Sequence, residues 1–405
     1  SRLRTVTMNI YRTFAILCAA RTLSIAQGSN QSQRRLRPNP VVNLISNTEI
    51  FSASKALMLS REDPTDASRT APCTSPSAQW LRQQVSNVLD EDLSNFFDWH
   101  VYTLPFAYKL FVEKDQYDEE YFGINGEYTQ EINSVHEQAQ EFWSNSGVDD
   151  EIRVLSAHGS DLADMHEKLI PTLEILFSGS YDDEYTVFDH ATDIQELVTR
   201  LPGGYNYPLL TFNAFATDEG NKNDFPSIII GDGYFEFQQS MGLGSEGPEY
   251  ALTHEHAHHL QFSLGVKDND SSQNTKRQEL MADAFSAYFL AHSNGGDMTA
   301  EEISNIHTSA YAVGDCEMSN DGHHGTPQQR RCATMWGASI AGSQDAANID
   351  LIELKNRFDT WYERDLDVLC EHSNSNSAAS FTSYHIICSL QVFAILFGSA
   401  NMFGF

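Results

Sequence analysis

The stretch THEHAHHLQFSLG, residues 253–265, sets four histidines and one glutamate within six consecutive positions, 254–259. On a helix His254 and His258 are one turn apart on one face, close enough to grip a single small ion. Glu255 lies roughly 100° round from His254, where its carboxylate can reach a water beside the ion without binding the ion itself. This is the pattern H-E-x-x-H, with Glu255 as general base. His256 turns roughly 200° from His254, toward packing or solvent, and His259, at the edge of the ligand face, is a candidate donor behind the ligands.

A catalytic zinc takes three protein ligands and leaves one position for water. A third histidine of the form H-E-x-x-H-x-x-G-x-x-H is excluded, because Gln261 and Leu264 stand where Gly and His would be. The other source is a carboxylate on a following helix. Glu279 comes 21 residues after His258, and Asp283, one turn further on the same face, could accept the free N–H of a ligand histidine and fix its tautomer. The expected cofactor is Zn2+, and the expected chemistry is metal-assisted hydrolysis of a peptide or protein substrate. Three other readings compete: a histidine-rich helix without metal, a non-catalytic secreted or surface-tethered zinc protein, and a zinc hydrolase of non-peptide amides. No Ser-His-Asp elbow, P-loop or dinucleotide fingerprint points to another enzyme class.

These residues need two crossing helices behind a strand. PSIIIGDG (226–233) is a β-branched run closed by Gly-Asp-Gly, the clearest strand signal in the chain. After the turn GLGSEGP, one helix can open at Pro248 and run to Gly265. A second can start at Thr275, where T-K-R-Q permits a capping box, and run to Gly295 and Gly296. The loop between them carries the glycosylation sequon Asn269-Asp270-Ser271. From Gln79 to about Phe177, apolar residues recur at three- and four-residue steps, so a helical region is expected over 78–200, with His100, His136, His158 and His166 unassigned. The expected fold is α+β and predominantly helical: a zincin-like core with a small sheet packed on the active-site helix.

The residues so placed also carry a family likeness. HEHAHHLQFSLG followed by ELMADAFSAYF closely resembles the bacterial neutral zinc metallopeptidases, whose pattern is H-E-x-x-H-H-x-Q and then E-L-x-A-D. IIIGDGYFEF resembles that family's strand and double-aromatic turn, and VGDC with HHGTPQQRRCATMWG (323–337) resembles its later GD and H-G-[ST]-x-x-Q-R segments. The likeness spans roughly residues 200–340, hence an expected catalytic region over 201–370. It implies that His254, His258 and Glu279 are zinc ligands and Glu255 the catalytic glutamate. His324 is a candidate for stabilising an oxyanion, or else a structural histidine of its loop.

Composition bounds where such an enzyme could work. The formal charge is −31, from 25 basic and 56 acidic residues, yet residues 1–48 hold seven arginines and no acid, so the remainder stands at −38. A body that acidic repels phosphate backbones, which excludes nucleic acid as a partner. Residues 1–26 read as a secretory signal cleaved after Ala26, against the alternative of a buried N-terminal helix. Residues 27–77 read as a flexible leader or pro-segment in which RRLR (34–37) is either a processing site or a solvated charge cluster. Residues 371–405 join a small-residue linker to an uncharged apolar tail, read as a glycolipid-anchor signal, a membrane anchor or a buried last helix. A secreted or cell-surface protein is expected. Cys73, Cys316, Cys332 and Cys370 then allow two disulfides, with Cys316–Cys332 the most local pairing, or four buried thiols.

Overall fold

The computed structural model describes residues 73, 75–113, 120–144, 146, 152–217, 225–266, 272–316 and 322–370. The signal at 1–26, the RRLR cluster, the sequon at 269–271 and the tail at 371–405 lie outside the described residues. Helix α1 (Pro76–Val85) opens with Ser75 accepting from Ala78 N and proline in the first turn. Helix α1 thus opens inside the segment read as leader. After α2 (Asp90–Asp98) and single helical turns over 101–112 come α3 (Thr129–Trp143) and strand β1 (Arg153–Ala157), then α4 (Ile170–Leu176) and α5 (Val187–Arg200). Strands β2 (Ala214–Thr217) and β3 (Ser227–Gly231) lead into α6 (Asp232–Ser240) and α7 (Glu246–Ser263). The chain continues through α8 (Ser272–Ala291), α9 (Ala300–Val313), α10 (Pro327–Ala341), α11 (Leu351–Arg364) and α12 (Leu366–Cys370). The architecture is α+β and mostly helical.

The sheet runs in the order β1-β3-β2, with β1 parallel and β2 antiparallel to β3. The Ile228–Ile230 run makes β3 central, because its side chains are buried on both faces. Strand β1 lies in the region expected to be helical, and its pairing of Ala157 with Gly231 joins that region to the next. One hydrophobic core runs through both, so the boundary at 200 and 201 separates no cores.

GDGYFEF also differs from expectation: its aromatics lie in the nine-residue helix α6 rather than in a turn. Glycine is needed there, since a Cβ on Gly233 would stand 1.9 Å from the Pro208 carbonyl oxygen. Helix α7 starts two residues before Pro248, and α8 begins at Ser272 rather than Thr275, which removes the capping box expected there. Extending a formed helix by a turn gains one hydrogen bond per residue, so capping residues mark such ends loosely.

The disulfides correct the local pairing. Cys73 bonds Cys316 and Cys332 bonds Cys370, with Cα separations of 5.6 and 6.0 Å. The packing of α10 against α12 brings Cys332 to Cys370. Two such bonds suit an oxidising, extracellular compartment. Among the described residues no helix is long and apolar enough to cross a membrane.

Candidate metal centre

Helix α7 is enclosed by β2, β3, α3, α8 and α9, so its polar residues are interior ones. His254, Glu255, His256, His259 and Gln261 are all buried, and His258 is the most open of the histidines. A helix buried all round has no solvated face on which to leave unused histidines, and each must be satisfied or packed.

His254 Nε2, His258 Nε2 and the Glu279 carboxylate converge. The two imidazole nitrogens are 3.2 Å apart, His254 Nε2 is 3.2 Å from Glu279 Oε2, and His258 Nε2 is 3.4 Å from Glu279 Oε1. Donors about 2 Å from one tetrahedral ion stand about 3.3 Å from each other, so the spacing and the nitrogen and oxygen chemistry fit a zinc-type ion. Among the described residues this is the one group of three or more His, Cys, Asp or Glu side chains that could hold a metal.

Each imidazole is held from behind. His258 Nδ1 donates to Gln261 Oε1 at 3.1 Å, while Gln261 Nε2 donates to the Gln278 carbonyl on α8 at 2.7 Å. His254 Nδ1 lies 3.0 Å from Asp283 Oδ1. The bond to Gln261 places the His258 ring proton on Nδ1, and the Asp283 carboxylate faces Nδ1 of His254, so both rings turn Nε2 toward the convergence point. Asp283 is fully buried, which by itself would raise its pKa, but Arg330 and His254 more than offset this and hold it at about 2. Burial opposes charge on His254, yet Asp283 and Glu279 push its pKa well above the ordinary value.

Two residues of this cluster escaped sequence reasoning. Arg330 of α10, 3% exposed, places Nε and Nη2 each 2.9 Å from the Asp283 oxygens. The Tyr250 hydroxyl donates to Asp283 Oδ1 and lies 3.3 Å from Arg330 Nη2. Tyr250 could have been found, since it precedes His254 by one turn on the ligand face. Arg330 closes the stretch 324–330 that resembles H-G-[ST]-x-x-Q-R, so the likeness flags the residue, but only the crossing of α8 and α10 brings it to Asp283. That crossing is tight: a Cβ on Gly337 would stand 1.9 Å from the Ala284 carbonyl oxygen.

The remaining candidates take other places. Glu255 is buried beside His254 on α7. His259 turns away from the ligands, its Nε2 donating to the Ser227 carbonyl at 3.2 Å and tying α7 to β3. His256 is a packing residue against His136 of α3, with ring centroids 6.5 Å apart. Burial first, then His259 and His136, lower its pKa to about 3. His324 sits in a clamp: Asp315 accepts from His324 N at 2.8 Å and lies 3.5 Å from its Nδ1, while His323 Nδ1 is 2.5 Å from the same carboxylate. Gly325, the next residue, lies against Leu280, which follows Glu279. Of the unassigned histidines, His158 pairs with Asp232 at 2.9 Å.

Comparisons with protein-family models, curated proteins and solved structures found no match to this chain.

Proposed function

We propose that the chain is a zinc metallopeptidase, as the resemblance to the neutral zinc metallopeptidases implies. The observation that carries the reading is the convergence of three donors within 3.2–3.4 Å, two of them buried and His258 half-buried, with both histidines faced by polar partners from behind. Zinc held by His254, His258 and Glu279 would supply a Lewis acid that polarises the scissile carbonyl and acidifies a water. Glu255, next to His254, takes a proton from the attacking water and returns it to the departing amine. Asp283 and Gln261 keep His254 and His258 in the tautomer that leaves Nε2 available. The Asp315 clamp fixes the approach of His324, the candidate partner for the oxyanion.

Burial favours a second reading. The side chains of His254, His258 and Glu279 are only 5%, 14% and 5% exposed, which also suits a secreted zinc-containing binding protein without turnover. The two separate in one experiment. Wild type and Glu255→Gln are assayed for zinc content and for chelator-sensitive cleavage of a mixed peptide library. Stoichiometric zinc in both, with cleavage reduced about 10²–10⁴-fold in the variant, supports the peptidase. Zinc without cleavage in wild type supports the binding protein, and a fully active variant removes Glu255 from the mechanism.

A further inference from the structure

The metal centre holds two carboxylates, Glu279 and Asp283, in a buried space with two imidazoles. Two like charges so enclosed repel one another and lose their hydration, and a buried site of this kind stands only if a cation compensates it. Arg330 supplies a permanent cation beside His254, and its placement goes beyond a simple ion pair with Asp283. Its Nη2 lies 2.9 Å from Asp283 Oδ1, 3.6 Å from Glu279 Oε2 and 3.4 Å from His254 Nε2. One guanidinium nitrogen therefore stands beside two of the three donor atoms that would hold the metal. The guanidinium stays charged at any working pH, so this compensation is permanent.

We propose that Arg330 is the resident counter-cation of the metal-free centre, keeping the donor set assembled without metal and opposing the metal when it enters. The inference rests on the reading of His254, His258 and Glu279 as metal ligands, but not on any catalytic activity. A fixed positive charge beside a divalent ion weakens its binding, while the same charge holds together the empty site. The consequence is a centre that is preformed and exchangeable rather than one that folds around its metal. A residue that merely positioned Asp283 would act with the opposite sign, because losing an orienting partner typically weakens metal binding about 10–100-fold.

The test uses the full chain stripped of metal and then titrated with zinc alone against a chromogenic chelator, with thermal unfolding recorded for both states. Arg330→Met should lower the unfolding temperature of the metal-free protein more than that of the zinc-loaded protein. It should also bind zinc more tightly than wild type, on the order of tenfold. Unchanged or weaker zinc binding, or equal losses of stability in the two states, would overturn the proposal. Arg330→Lys, which keeps the charge and loses the planar fork, covers the case in which the methionine variant fails to fold. Its zinc affinity should not exceed that of wild type, and a tighter lysine variant would overturn the proposal. Wild type that takes up no zinc overturns the ligand assignment and this inference together. Where wild type binds zinc normally, the ligand assignment stands and a failure of either variant counts against the role of Arg330 alone.

Discussion

Two of the buried histidine–aspartate pairs among the described residues do different things. His254 lies 3.0 Å from Asp283, and His158 lies 2.9 Å from Asp232, each through Nδ1. Behind His254, Nε2 meets His258 and Glu279. The Nε2 of His158 is buried with no hydrogen-bond partner, and its ring stacks on Tyr121 at 4.0 Å. The second pair follows directly on the paired ends of β1 and β3, where it works as a clasp between parallel strands. The carboxylates diverge as well. Burial, only partly offset by His158, raises the pKa of Asp232, whereas Arg330 holds Asp283 low. A histidine faced by an aspartate can serve as a ligand only where other donors gather at its far nitrogen, as they do at His254 and not at His158.

Removing the histidines should divide the pairs most sharply. His254→Ala is expected to lose more than about 100-fold in zinc affinity, beyond the loss of an orienting partner alone, while His158→Ala keeps one zinc per chain. Chelator competition on both variants checks this, and zinc loss from His158→Ala would merge the two pairs into one site. The aspartates give a smaller contrast. Asp283→Asn should weaken zinc about 10–100-fold. Asp232→Asn should leave zinc binding alone and cost about 1–3 kcal/mol in chemical denaturation.

The smallest effect is on pH dependence near the clasp. Glu236, one turn beyond Asp232 on α6, is pushed up to about 7 by burial, then by Asp232 and Glu127. A carboxyl raised in the folded state stabilises below its ordinary value of about 4.3, and that contribution is lost as pH rises through about 7. The unfolding temperature should therefore fall between about pH 5 and 8. Glu236→Gln should flatten part of that fall, and thermal unfolding across this range with an unchanged slope would remove Glu236 as its source.

What could be read from the sequence follows from how local each signal is. The four-residue step from His254 to His258 is fixed by one helix, and a helical hairpin naturally returns Glu279 and Asp283 to the same side. The Ile228–Ile230 run declares a buried strand by itself. Strand β1 does not, because RVLSA is short, sits among helical periods and is a strand only by virtue of β3. AFAT of β2 is shorter still. Arg330 closes the H-G-[ST]-x-x-Q-R likeness, but its place beside Asp283 depends on the crossing of α8 and α10, and the Cys332–Cys370 pairing depends on the packing of α10 on α12, which no spacing along the chain encodes.

The cysteine pairing bears on how the chain matures. Cys316 and Cys332 flank the stretch carrying His324 and Arg330, yet each bonds outward, to partners 243 and 38 residues away. Ends close together on a flexible chain meet more readily than distant ones. A Cys316–Cys332 bridge is therefore the expected early product of oxidation, and thiol exchange would then have to undo it before the native pairs form. Acid-trapped samples from refolding should contain that short bridge early, and its absence at every time point would show that the helices dock before the cysteines oxidise.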